Sequence, residues 1–380
     1  MEIPVNLTLM AARTQVGSVE LGAHSGPLHL IVFSDWRIQD ISLLVEEISQ
    51  FPTKPDLILY GGDDIPRFRE AGNNLFEDLA RCSRYGICAV IGNDDSPSVR
   101  TLISGNTVFN VHKTPVTLGE YTFIGLEAAP PADGFMVGFC YSEKEIERHL
   151  AFQKRVAKKN RIIILSHAPP FGALDKALRF SRDGRPRSIG SKALAQFVRN
   201  NKTVALVVCG HVHRYGGKHE RLGRSLVVNV ASHDRLGNVG RFALLTLGLK
   251  NDVKVEWREI VEVSCIAGIK ERSTERLRAA GIRTVQEFAG ADISALAKIL
   301  SHPPPRPIEM LKARALSLAG NKPILFRSLA LPPSPELFLD IETDSQGGLK
   351  LVWLIGLCLG RNGPYKSFLQ SHLATNGVPL

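Results

Sequence analysis

Leu28-His-Leu-Ile-Val-Phe-Ser-Asp-Trp-Arg37 is the stretch on which the fold turns. Its first six residues form a short apolar run of strand length, and an aspartate, Asp35, stands just past the end. The same arrangement recurs down the chain. Asp56 to Tyr60 leads into Gly61-Gly-Asp-Asp64, and Ile87 to Ile91 into Gly92-Asn-Asp-Asp95. Arg161 to Leu165 leads into Ser166-His-Ala-Pro-Pro170, and Val204 to Val208 into Gly210-His-Val-His213. Further strand candidates are Tyr121 to Gly125, Leu226 to Val230 and Arg241 to Leu247. Amphipathic helices are expected over Ile38 to Ser49, Phe68 to Ser83, Ser142 to Lys158 and Ser191 to Arg199, the last two opening on serine caps.

Short apolar runs alternating with amphipathic helices predict a layered α/β domain. In such sheets the carboxyl ends of the strands share one edge, so residues distant in sequence meet there. Asp35, Asp63, Asn93, His167, His211 and His213 would then converge, and a cluster of that chemistry binds divalent metal.

The 380 residues leave room for two or three folded units. With 44% apolar and 22% charged residues, the chain can bury a sizeable core. The longest uncharged apolar stretch, near Leu351 to Gly360, is about half of what a bilayer-spanning helix needs. The first thirty residues, with Glu2, Arg13 and Glu20, lack the pattern of a secretory signal. Six scattered cysteines without a C-x-x-C pair suggest neither a disulfide framework nor a zinc ribbon, and reduced thiols fit a cytoplasmic protein. A net charge of +10 favours phosphate-rich partners, nucleotides or nucleic acid.

The five motifs, in this order over roughly residues 28 to 258, resemble the calcineurin-like metallophosphoesterase superfamily. The resemblance implies an αββα sandwich and a phosphoesterase that hydrolyses a phosphodiester or nucleotide by in-line attack of a metal-bound hydroxide. It implies that Asp63 bridges two metals, that Asp35 and His213 hold the first, and that Asn93, His167 and His211 hold the second. Mixed nitrogen and oxygen ligands suit Mn, Fe or Zn, with Mg also admissible.

Two positions depart from the family pattern. The first motif normally reads Asp-x-His, whereas Arg37 stands here and has no lone pair to donate. Either the first metal keeps Asp35, Asp63 and His213 with water or Asp64, or Arg37 pairs with Asp35 and Asp63 in place of that cation, or it clamps the phosphate. The third motif normally reads Gly-Asn-His-Asp, and Asp94 stands where the histidine would protonate the leaving group. Arg37, Asp94 and Asp95 are the candidate catalytic residues. The alternative is a catalytically weakened scaffold of the same fold that binds nucleic acid or a nuclease partner. Arg179, Arg182, Arg185 and Arg187 form a basic loop after the His167 motif and are candidate substrate ligands. The helix opening at Gly190-Ser191 offers its amino end to an anion.

From Ile266 to about Leu318 short helices with a capping box at Thr284 to Glu287 resemble a helix-hairpin-helix module. Between Ser264 and Gly320, nine lysines and arginines stand against five acids, a balance suited to DNA or RNA. Beyond a proline-rich linker, Leu337-Phe-Leu-Asp-Ile-Glu-Thr-Asp344 resembles the opening strand of an RNase H-like 3′ to 5′ exonuclease. Asp340 and Glu342 would be its first metal-binding pair. That fragment is too short to act alone and would need a nuclease partner. The expected organisation is a metallophosphoesterase domain over 1–258, a helical module over 259–320, a linker over 321–336 and an incomplete exonuclease-like fragment over 337–380.

Overall fold

The computed structural model describes residues 13–15, 18–36, 38, 41–70, 73–131, 138–157, 160–177, 185–232, 239–248, 252–300, 308–320, 337–344, 351–359 and 365–369. Two compact units divide between Gly320 and Asn321. The large sheets of the first unit are built from β1 (Arg13–Gln15), β2 (Ser18–Glu20), β3 (Leu28–Phe33), β4 (Leu57–Tyr60), β5 (Ile87–Ala89), β6 (Val108–Asn110) and β7 (Val116–Leu118). There follow β8 (Tyr121–Leu126), β9 (Arg161–Ser166), β10 (Val204–Cys209), β11 (Lys218–Leu222), β12 (Ser225–Asn229), β13 (Val239–Leu247) and β14 (Val253–Val261). The helices are α1 (Ser42–Ser49), α2 (Leu75–Arg81), α3 (Glu143–Ala157), α4 (Lys192–Asn200), α5 (Glu271–Ala279), α6 (Val285–Gly290), α7 (Ile293–Ile299) and α8 (Ile308–Gly320).

One sheet runs β14-β13-β3-β4-β5-β6 and the other β1-β2-β7-β8-β9-β10-β12-β11. Side-chain alternation along each strand assigns two faces. Leu30, Val32, Leu59, Cys88, Ile163, Leu165, Leu206 and Val208 point between the sheets into a shared core. Ile31, Phe33, Ile58, Tyr60 and Ile87 face outward onto α1 and α2, through Leu44, Ile48, Phe76 and Leu79. Ile162, Ile164, Val207 and Cys209 face outward onto α3 and α4, through Ile146, Leu150, Leu194 and Val198. The result is the αββα sandwich expected from the sequence, two apolar-faced sheets each covered by helices.

The pairs β3–β4, β4–β5, β8–β9, β9–β10 and β10–β12 are all parallel. An isolated parallel bridge between Ser34 and Ala231 joins the two sheets where β3 ends. The carboxyl ends of strands from both sheets therefore open toward one place.

One helix expectation needed correction. The Phe68 to Ser83 helix contains a break: Arg69–Glu70 and Asn73–Asn74 form a two-residue ladder, and Asn74 caps α2 by accepting from the Phe76 amide at 3.1 Å. Glycine and two asparagines at 72 to 74 favour a turn over a helix interior. The amino end of α4 already holds an anion, the Glu143 carboxylate of α3. It accepts from the Lys192 and Ala193 amides and the Ser191 hydroxyl, each at 2.8 Å. The serine cap expected there is present, with Ser191 accepting from the Leu194 amide at 3.1 Å.

Residues after β14 continue the first unit. Val239, Val261 and Val263 share a buried core with Leu277, Val285, Phe288, Leu296 and Leu311 of the helices. Thr284 and Glu287 make the capping box, the Thr284 hydroxyl accepting from Glu287 at 3.2 Å and the Glu287 carboxylate from Thr284 at 2.8 Å. Glu262, fully buried, pairs with Arg278 at 2.9 Å. The second unit contains β15 (Leu337–Asp344), β16 (Leu351–Leu359) and β17 (Tyr365–Leu369), antiparallel in that order. Asp340 and Glu342 lie in β15, their backbones opposite Gly356 and Leu354. The proline-rich segments, 302–307 and 321–336, lie outside the described residues. Among the described residues, no helix is long and apolar enough to cross a membrane.

Because the helices and β13–β14 share one core, Phe288→Ala should lower the stability of the first unit by about 3–5 kcal/mol. Urea unfolding followed by circular dichroism and by Trp257 fluorescence should shift together. Separate transitions would show that the helices fold independently.

Candidate metal centre

Asp35, Asp63 and His211 each follow a strand end in a left-handed backbone conformation, with φ of 50°, 65° and 65°. Non-glycine residues rarely adopt that region, and it concentrates at functional sites. Glycines beside them make the close approach feasible. A Cβ at Gly92 would lie 1.8 Å from Asp63 Oδ1, and one at Gly210 would lie 2.2 Å from Asp35 Oδ2.

Asp35 is fully buried. Its Oδ2 accepts from the Ser34 hydroxyl at 2.6 Å and the His211 amide at 3.0 Å, and its Oδ1 lies 2.9 Å from His213 Nε2. Burial pushes the Asp35 carboxyl upward, but the paired His213 and nearby His167 prevail and hold it below the usual carboxylate range. Asp63 Oδ1 accepts from the Asp94 amide at 3.0 Å, while its Oδ2 lies 3.4 Å from His167 Nε2. Burial raises the Asp63 carboxyl against the pull of His167, and Asp35, Asp95 and Asp94 add to the rise.

His167 is fully buried, its Nδ1 2.8 Å from the Gly61 carbonyl and its Nε2 2.9 Å from Asn93 Oδ1. A proton on Nδ1 bonds Gly61 and leaves Nε2 facing two oxygens that only accept. Those three atoms need a metal ion between them, or a proton on Nε2 or on Asp63 Oδ2. Burial disfavours the proton on Nε2, yet Asp63 and Asp35 raise the His167 pKa above its ordinary value. Ligand atoms of Asp35, Asp63 and His167 all lie within 4.8 Å of one another. The donors fit a divalent cation: oxygen and imidazole nitrogen, buried and net negative.

His211 packs edge-on to His167, ring centroids 5.1 Å apart. Burial and His167 push its pKa down to about 3, so it stays a neutral donor of a lone pair. Asn229 braces the turn that carries His211 and His213, donating to the carbonyls of Gly210 at 3.0 Å and Val212 at 3.2 Å.

The third motif divides its labour. Asp94 is exposed, and its Oδ1 accepts from Asn93 Nδ2 at 2.7 Å, which turns the amide so that Oδ1 faces His167. Asp95 is buried and accepts the amides of Ile65 at 3.0 Å, Asp63 at 2.8 Å and Gly92 at 2.9 Å. It ties two motif loops together. Asp64 has a φ of 63° and is half-buried beside them. Arg185 and Arg187 are exposed, Arg187 in a short ladder with Lys176–Ala177. Arg37, Arg179 and Arg182 lie outside the described residues.

A second buried cluster stands beside the centre and carries no sequence motif. Glu127 pairs with Arg100 and accepts from the Tyr141 hydroxyl at 2.8 Å, and His112 Nε2 lies 3.2 Å from it. Its one sequence signal is position, just past the end of β8, where other strands carry ligands.

Residues 115–258 match the family model described as metallophosphoesterase, calcineurin superfamily. The match runs from the start of β7 into β14 and includes His167, His211 and His213. No curated protein matches the chain. Among solved structures, a dimetal phosphatase from Danio rerio is 15% identical over 62% of this chain and 96% of its own, with a TM-score of 0.42. An archaeal phosphodiesterase is 14% identical over 61% of this chain and 100% of its own, TM-score 0.31. An anchor protein of the Plasmodium inner membrane complex is 15% identical over 61% and 84%, TM-score 0.36.

The buried cluster has a pH consequence. Burial first, then His149, Lys113 and Arg100, depress the His112 pKa to about 2. The unfolded chain, with a value near 6.5, takes up that proton first as pH falls. Stability from keeping His112 neutral is thus full above about 6.5 and is lost from there down toward about 2. Urea unfolding at pH 7 and pH 5 should show a larger loss in wild type than in His112→Asn. Equal losses would contradict the assignment.

Proposed function

We propose that the first unit is a metal-dependent phosphoesterase that hydrolyses a phosphodiester or nucleotide. The observation that carries this reading is the convergence of Asp63 Oδ2, Asn93 Oδ1 and His167 Nε2 on one buried point. The phosphoesterase family matched by residues 115–258 supports it. In this reading Asn93, His167 and His211 hold one cation, Asp35 and His213 hold another, and Asp63 lies between. Mn, Fe or Zn suits these ligands best, and Mg is admissible. When bound, such cations supply Lewis acidity toward phosphoryl oxygens and acidify water.

The protein's own part is orientation. Gly61 fixes the His167 tautomer, Asp94 turns Asn93, and Asp95 holds the Asp63 and Asn93 loops in register. Asp94 and Asp95 then serve as positioning residues. Arg37 either clamps the phosphate, or pairs with Asp35 and Asp63 in place of the cation there and leaves a one-metal site. Arg179, Arg182, Arg185 and Arg187 grip a phosphate-rich substrate. A link to DNA or RNA rests on the basic helices over 259–320, read as a helix-hairpin-helix module. The 337–380 segment, after the 321–336 linker, is read as the opening of an exonuclease-like unit that works with a nuclease partner, with Asp340 and Glu342 as its metal pair. A cytoplasmic setting fits the cysteines.

One observation favours the second reading, a scaffold without turnover. Asp94 stands where the family pattern has a histidine, and one of its carboxylate oxygens is taken by Asn93 Nδ2 at 2.7 Å. Hydrolysis of bis(p-nitrophenyl) phosphate and p-nitrophenyl phosphate in Mn²⁺ separates the two, because nitrophenolate leaves without an acid. The phosphoesterase reading predicts Mn²⁺-dependent turnover that falls at least about 100-fold in His167→Ala. A silent wild type with activity gained in the Arg37→His, Asp94→His double variant would establish the scaffold reading.

A further inference from the structure

Glu127 has no place among the ligands, yet its carboxylate is fully buried and engaged by three segments. We propose that Glu127 is a positioning residue for the Gly92–Asp95 loop, acting through Arg100 and Tyr141.

The loop is gripped before, on and after the residues that matter, and each grip leads back to Glu127 or its neighbours. Before it, the Ala128 amide donates to the Ile91 carbonyl at 3.0 Å, with Ala128 at a φ of 61°. On it, the Phe139 amide donates to the Asn93 carbonyl at 2.7 Å, and Tyr141, two residues on, donates its amide to Ala129 at 3.1 Å and its hydroxyl to Glu127. After it, the 3-10 turn Pro97–Ile103 carries Arg100, whose guanidinium grips Glu127 by two nitrogens, Nε at 3.1 Å from Oε2. Arg100 also lies over the Phe139 ring at 5.3 Å and donates to Tyr141 at 3.2 Å. The approach to Asn93 is tight: a Cβ at Gly138 would stand 2.1 Å from its carbonyl.

Stability alone does not account for such a hub. A buried ion pair often stabilises no better than apolar residues of the same volume, but a bidentate fork fixes direction and distance. What Glu127 fixes is where Asn93 and the Asp94 amide meet His167 and Asp63. Groups that orient ligands in this way are worth about 10- to 100-fold in metal affinity.

The affinity arm of the test rests on the metal-centre reading above, and the exchange arm does not. Glu127→Gln keeps the volume, and Arg100→Lys keeps the charge while losing the fork at a partly exposed position less prone to unfold the chain. Both should weaken Mn²⁺ binding about 10- to 100-fold. In metal-free protein both should speed amide exchange in the peptide spanning Val90 to Ser96, while Arg161 to Ser166 exchanges as in wild type. Wild-type affinity and wild-type exchange in the two variants would overturn the proposal, as would faster exchange spread evenly through the sheets. If wild type binds no Mn²⁺, the metal-centre reading falls, and selective loosening of Val90 to Ser96 still establishes the role of Glu127.

Discussion

Two carboxylates, Asp35 and Asp63, sit buried where the carboxyl ends of strands from both sheets meet, and compensating charge there governs the surrounding structure. An ionised carboxylate in a low-dielectric interior is tolerated only when donors or cations surround it. Asp35 has the Ser34 hydroxyl, the His211 amide and the His213 ring. Asp63 has the Asp94 amide and His167. These donors come from both sheets, so the same contacts that neutralise charge also lock the sheet ends together, and a cation is the natural complement to what remains.

The backbone bears the strain of that arrangement. Asp35, Asp63, Asp64 and His211 all have positive φ, and glycines stand wherever a Cβ would meet a carboxylate. Glu127 extends the same logic outward: a further buried acid is satisfied by Arg100 and Tyr141, and their placement sets the loop that carries Asn93.

The strands that lead into the five motifs were legible because parallel strands buried on both faces are short apolar runs. Those that escaped were different in kind. β14 alternates half-exposed residues along an edge, β11 is mostly exposed, and β6 and β7 have three residues each. The helix expected from Phe68 starts only at Leu75, where Asn74 caps it. The anion at the start of α4 could not be foreseen, since Glu143 reaches it from 48 to 50 residues away in sequence. At the site, His167 meets Asn93 and Asp63, and His213 meets Asp35. The sequence could not separate Asp94 from Asp95, because both are acids in one loop and only the fold shows that one faces solvent and the other three backbone amides. Glu127 was hidden for a related reason, a lone glutamate with no spacing rule.

The role proposed for the centre formed by Asp35, Asp63, Asn93 and His167 is to hold divalent metal. The most direct measurement is bound metal per chain by elemental analysis after loading with Mn²⁺ and removing the excess, with Asp63→Ala alongside. The account predicts about one or two equivalents in wild type, lost in the variant while its circular dichroism stays native. No retained metal in a folded wild type, or equal retention in Asp63→Ala, would contradict it.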